Sequence, residues 1–79
     1  MNQQEIETKV KHVIHEQLDI PNDEIQLESV LRDFNIDSLS YVELLLSLEE
    51  VFEIDIPDED AEPLKTVQEI VDYIVKRLS

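Results

Sequence analysis

The sequence predicts an all-α fold, a small bundle of three main helices plus one short helix, with a long loop between the first and second helices. Apolar residues recur at helical spacing in three separate segments, and no segment sustains the alternation of a strand. Ile, Leu, Val and Phe account for 29 of the 79 residues, well above the roughly one-fifth below which a highly charged chain tends to stay disordered. No repeat, low-complexity tract or Pro/Ser-rich linker divides the chain, so residues 1–79 are expected to form a single domain.

Ile6, Val10, Val13, Ile14 and Leu18 would line one face of a first helix from about Gln3 to Gln17. From Asp19 to Ile36 the apolar residues Ile20, Ile25, Leu27, Val30, Leu31 and Phe34 are scattered around Pro21-Asn22-Asp23, which predicts a long loop pinned to the core by its side chains. Asp37-Ser38 opens the next helix, expected to be the most buried. Leu39, Val42, Leu46, Val51 and Phe52 sit on one side, and Leu44, Leu45 and Leu48 widen the stripe. Residues Pro57 to Glu62 suit a single helical turn with acids near its N-terminus and Pro63 closing it. Thr66-Val67-Gln68-Glu69 has capping-box spacing. Val67, Ile70, Val71, Ile74, Val75 and Leu78 then follow at helical intervals, with Lys76 and Arg77 complementing the C-terminal dipole.

Composition excludes several function classes. With no Gly, the chain lacks the phosphate-cradling, dinucleotide and calcium loops that need a glycine at a fixed position. With no Cys it has neither disulfides nor thiolate metal ligands, and any thiol chemistry must use an added group. The formal net charge is −14, and 11 acids with no base fall within residues 33–62. Such a surface repels nucleic acid and anionic membranes and suits basic protein surfaces. No apolar run approaches a membrane span, and Met1-Asn2-Gln3-Gln4-Glu5 does not open a signal peptide, so a cytoplasmic location is expected.

Conventional catalysis finds few residues to use. His12 and His15 stand three apart on the first helix without a third soft ligand nearby in sequence, so no metal site is expected there. The clusters Glu49/Glu50/Glu53 and Asp55/Asp58/Asp60 would gather Mg²⁺ or Ca²⁺ loosely without making either a required cofactor. Asp37-Ser38-Leu39 places a hydroxyl where the long loop meets a helix N-terminus, and two readings share that geometry. Either residue could cap the helix by accepting from an unsatisfied amide. A phosphate esterified to Ser38 would also lie at the positive end of the helix dipole.

The segment from Phe34 to Glu62, FNIDSLSYVELLLSLEEVFEIDIPDEDAE, resembles the acyl carrier protein family, whose members carry a phosphopantetheine arm on the serine of a D-S-L motif. The motif is followed in the family's order by Val42-Glu43-Leu44, Leu48-Glu49-Glu50 with Phe52, Ile56-Pro57-Asp58-Glu59, and Thr66-Val67 with Asp72-Tyr73-Ile74. The resemblance implies that Ser38 bears 4′-phosphopantetheine and that Asp37 meets the Mg²⁺ of the phosphopantetheinyl transferase. It also implies that Glu43, Glu49, Glu50 and Asp58 face basic docking patches on acyl-transferring and chain-elongating enzymes. Leu39 and Leu46 are placed to touch partners or close over cargo, with core burial as the rival role.

Two departures stand out. Asn35 occupies a position where many members have Gly, and Asn is the substitute best suited to a left-handed conformation. Ser40 and Tyr41 follow the motif where many fatty-acid carriers have an acid, removing a charge from the recognition face and adding an aromatic. The expected molecule is a monomeric, non-catalytic carrier of fatty-acid or polyketide intermediates held as thioesters. Its rivals are a dedicated amino-acyl or peptidyl carrier and an unmodified acidic interaction or cation-binding module.

Overall fold

Asn2 starts the first helix, its side-chain oxygen accepting from the Glu5 N–H at 2.8 Å. Helix α1 then runs Gln3–Leu18 in the computed structural model, which describes residues 2–79. Three more helices follow: α2 at Ser38–Phe52, α3 at Asp58–Ala61 and α4 at Val67–Leu78. The expected all-α bundle of three main helices and a short one is the observed architecture. Helix α1 packs against both α2 and α4.

The interior is apolar throughout. Ile6, Val10, Val13 and Ile14 of α1 meet Leu44, Leu45, Leu48 and Phe52 of α2 and Val67, Ile70, Val71 and Ile74 of α4. No polar or charged side chain is buried among the described residues. Complete burial of a Leu or Ile contributes about 1.5–3 kcal/mol, so this core is the main stabilising element of a chain without cross-links. Thr66 and Glu69 form the reciprocal capping box foreseen for α4.

The order of burial differs from expectation at α2. Leu39, Val42, Leu46 and Val51 are 69, 49, 56 and 45% exposed, and the buried face carries Leu44, Leu45, Leu48 and Phe52. Helix α4, with four side chains at 0% exposure, is the better buried. Helix α2 is apolar on opposite sides, so periodicity finds both stripes without saying which one the bundle covers.

The long connection is more ordered than a pinned loop. It forms 3-10 turns at Asn22–Glu24 and Leu31–Phe34, too short to show a sequence period. Ile25 and Leu31 are buried, while Ile20, Leu27, Phe34 and Ile36 pack on the core. Its second half is laced to the start of α4 by backbone bonds: Leu31 N–H to Lys65 O, Val67 N–H to Ser29 O and Gln68 N–H to Leu27 O. Helix α3 is held by the Tyr73 hydroxyl donating to Asp60 Oδ2 at 2.7 Å, while Arg77 donates to Tyr73 Oη and the Asp55 carbonyl.

Three residues take left-handed backbone: Asp19 at φ 55°, Asn35 at φ 58° and Glu53 at φ 54°. The expectation for Asn35 is met. Asp19 and Glu53 end α1 and α2 where glycine is the usual terminator, and a side chain makes that conformation unfavourable. Glu53→Gly is expected to stabilise the domain by about 0.5–1 kcal/mol after allowing for the freer unfolded chain. A thermal melt should show a rise of roughly 2–8 °C; a lower midpoint would mean that the Glu53 side chain makes compensating contacts.

Candidate functional site

The loop's last turn and the first turn of α2 set the site. Asn35 reverses the chain after the second 3-10 turn. Asp37 then caps α2, its Oδ1 accepting from the Ser40 N–H at 2.8 Å. Of the two candidate caps, Asp37 does the capping. Ser38, the first helical residue, is exposed, and no hydrogen bond engages its Oγ among the described residues. The Asp37 carboxyl is held below its ordinary pKa by the Ser40 N–H first, then by the Ser40 hydroxyl, with a smaller contribution from the Leu39 N–H opposing slight desolvation. The linked stability is therefore present above the ordinary carboxylate pKa and lost as pH falls through the lowered folded value.

Beside Ser38 lies an open cavity of about 320 Å³, lined in part by Val30, Ile36, Tyr41 and Leu64 and by the charged Arg32, Glu62 and Lys65. Tyr41 turns inward. Its hydroxyl lies 2.9 Å from the Ala61 carbonyl oxygen and 3.1 Å from that of Leu64, donating to both from one proton. Burial raises its pKa, and the Glu69 charge adds to the effect. The aromatic expected on a recognition face is thus a tie between α2 and the α3–α4 connection. Tyr41→Phe should lower stability by about 0.5–1.5 kcal/mol, measured by denaturant unfolding, with helical content unchanged. An unaltered midpoint would show that water satisfies both carbonyls equally well.

The exposed side of α2 collects most of the remaining sequence candidates. Leu39, Glu43, Leu46 and Glu50 are exposed and recur at intervals of three, four and seven, which places them on one face descending from Ser38. Of the two roles weighed for Leu39 and Leu46, core burial is not the observed one. Glu49 is set apart: it is half-buried, and its Oε2 accepts from the Ile56 N–H at 2.9 Å, holding the turn after α2. Asp58 is exposed at the first residue of α3.

No group of three or more His, Asp or Glu side chains is arranged to hold a metal among the described residues. The clusters Glu49/Glu50/Glu53 and Asp55/Asp58/Asp60 are therefore not assembled as cation sites. Glu49 is turned to a backbone amide and Asp60 to Tyr73. His15 Nδ1 lies 2.6 Å from the Ile20 carbonyl, where it donates to fix the loop's start, and His12 pairs with Glu16 at 3.5 Å. Arg32 and Lys65 escaped the sequence reading, although each is one of only six bases in the chain.

Comparison with known proteins adds a second line of observation. A family model described as the phosphopantetheine attachment site matches residues 8–74. Over 80 residues the chain is 46% identical to an acyl carrier protein of Thermosynechococcus vestitus, covering 100% of this chain and 99% of that one. It is 48% identical over 73 residues to an acyl carrier protein of Bdellovibrio bacteriovorus, covering 91% and 94% respectively. A solution structure from Anaplasma phagocytophilum, assigned as an acyl carrier protein, is similar with a TM-score of 0.89 at 37% identity, covering 100% of this chain and 94% of that one. No helix among the described residues is long and apolar enough to cross a membrane.

Proposed function

The chain belongs to the acyl carrier protein family, whose members are non-catalytic and carry a covalent 4′-phosphopantetheine arm, and we propose that Ser38 is the residue that bears it. As a member the protein interacts with a phosphopantetheinyl transferase and with acyl-handling enzymes. The arm supplies the thiol that the chain lacks, and thioester chemistry resides there.

One observation carries the assignment of Ser38: a serine Oγ that is exposed and, among the described residues, free of hydrogen bonds at the first residue of α2, next to an open cavity. The cap is made by Asp37, so modification of Ser38 removes no structural bond. In loading, the Ser38 O–H bond breaks and Oγ bonds to the pantetheine-side phosphorus of coenzyme A's pyrophosphate as the bridging P–O bond to the second phosphate breaks; the proton passes to the transferase and 3′,5′-adenosine bisphosphate departs. Asp37 Oδ1 serves the cap, and the carboxylate would meet the transferase's Mg²⁺, its bonds from the Ser40 N–H and hydroxyl favouring the ionised form.

The partner face is α2 with Leu39, Glu43, Leu46 and Glu50, joined by Asp58 of α3. Glu49 contributes chiefly by holding the α2–α3 turn. The apolar residues supply contact area and the acids steer basic patches. The carrier domain spans residues 1–79, acts as a cytoplasmic monomer, and shuttles fatty-acid or polyketide-type intermediates between partners. Incubation with coenzyme A and a phosphopantetheinyl transferase should add the mass of one arm, and fragmentation should place it on Ser38. An unmodified mass would favour the acidic interaction module, and a gain placed on another serine would reject the site.

A further inference from the structure

Among the described residues, Arg32 and Lys65 are the only bases lining the cavity that contains Ser38. They come from segments far apart in sequence that are brought together by the backbone bond from Leu31 N–H to Lys65 O, 2.9 Å long. Both side chains are exposed, and neither forms an ion pair within 4.0 Å among the described residues, although the chain has 20 acids to offer. Meanwhile the neighbourhood of Ser38 carries Asp37 and Glu62, so an added anion there meets like charge.

We propose that Arg32 and Lys65 form a cationic seat for the phosphodiester at the root of the arm, an inference that rests on Ser38 being the attachment residue. A phosphodiester is a monoanion at neutral pH, and its phosphorus is bonded directly to Ser38 Oγ, so it lies at the wall these two bases share. Without them, loading would add one negative charge to an already repulsive domain. With them, the root of the arm is held against the wall while its distal part stays free. Arg offers paired donors to phosphate oxygens and Lys a mobile point charge, which suits a group whose two unbridged oxygens point apart.

The test compares apo and fully loaded protein, with loading verified by intact mass, in the native chain and in the Arg32→Gln/Lys65→Gln double variant. Native protein should melt roughly 2–6 °C higher when loaded than when apo, and the double variant should lose that difference or reverse it. The phosphorus resonance of the loaded native protein should shift between low and high salt, and that of the double variant should not. Glu62→Gln, removing the acid on the same rim, should enlarge the loaded-minus-apo difference. An equal difference in native and double-variant protein, with unmoved phosphorus resonances, overturns this inference alone. A difference that arises only on loading a dicarboxylic half-thioester also overturns it, by assigning the two bases to the cargo. Failure of Ser38 to gain mass removes the premise of both readings.

Discussion

Ser38→Ala is expected to abolish loading completely while leaving the melting midpoint almost unchanged. Complete loss follows because only Ser38 presents a free hydroxyl at the start of α2. Ser29 accepts from the Gln26 N–H, Ser40 is half-buried beside the Asp37 cap, Ser47 is half-buried in mid-α2, and Ser79 donates to Val75 O. The structural neutrality is specific to this arrangement. Asp37 carries the cap, and Ala is a better helix former than Ser, so the change in stability should stay within about 0.5 kcal/mol. Asp37→Ala should behave differently, losing about 0.5–2 kcal/mol with the cap as well as slowing loading. Intact mass and thermal melts on the same samples separate the two. Residual loading of Ser38→Ala protein would move the attachment site elsewhere.

Reversing charge on the exposed side of α2 should have the next largest effect. Glu43→Lys/Glu50→Lys is expected to slow transferase loading about 10- to 100-fold at low salt, since steering by a focused field contributes rate factors of about 10–10³. Glu49 is left intact because its bond to the Ile56 amide would confound the result with a loosened turn. A control with the same change in net charge, Glu24→Lys/Glu28→Lys, alters exposed acids of the α1–α2 connection instead. It should slow loading far less. Raising ionic strength should slow the native protein and narrow the gap between variants, as charges beyond about 10 Å are screened at 0.1 M. Equal slowing by both variants would sink the partner face and leave only overall charge.

Much of the framework was legible in the chain because local rules suffice for it. Helices α1 and α4 each have one apolar face, and α4 carries its capping box in four consecutive residues, so period and termini agree. Asn35 was legible for the same reason, since a left-handed turn restricts residue type at a single position. Helix α2 was expected to be the most buried, and for Leu39 and Leu46 partner contact and core burial both stood open. It has apolar residues on opposite sides, and only the positions of α1 and α4 decide which side is covered. The structural bonds of Tyr41 and Glu49 were not legible because their partners lie 20 or 23 and 7 residues away, beyond any local pattern. The wall formed by Arg32 and Lys65 depends on backbone bonds between the connection and the start of α4, a pairing with no sequence signature. The D-S-L motif was visible at once, yet the division of labour within it, Asp37 capping and Ser38 free, emerges only from the helix geometry.

The uncovered stripe of Leu39, Val42 and Leu46 also has a colloidal consequence. A small domain that leaves several large aliphatic groups in water on one helix would ordinarily bury them against a second copy of itself. Here every such encounter brings together two bodies of formal charge −14 each. Like-charge repulsion acts at a distance, before the apolar surfaces can touch, and grows with every added copy. A partner of opposite charge meets no such barrier. The acidic composition therefore filters encounters, keeping the same sticky surface available to basic proteins at concentrations where a neutral domain would associate with itself. That protection vanishes as pH falls toward the pI of about 4.1, where carboxylate protonation removes the repulsion and leaves the aliphatic stripe in place.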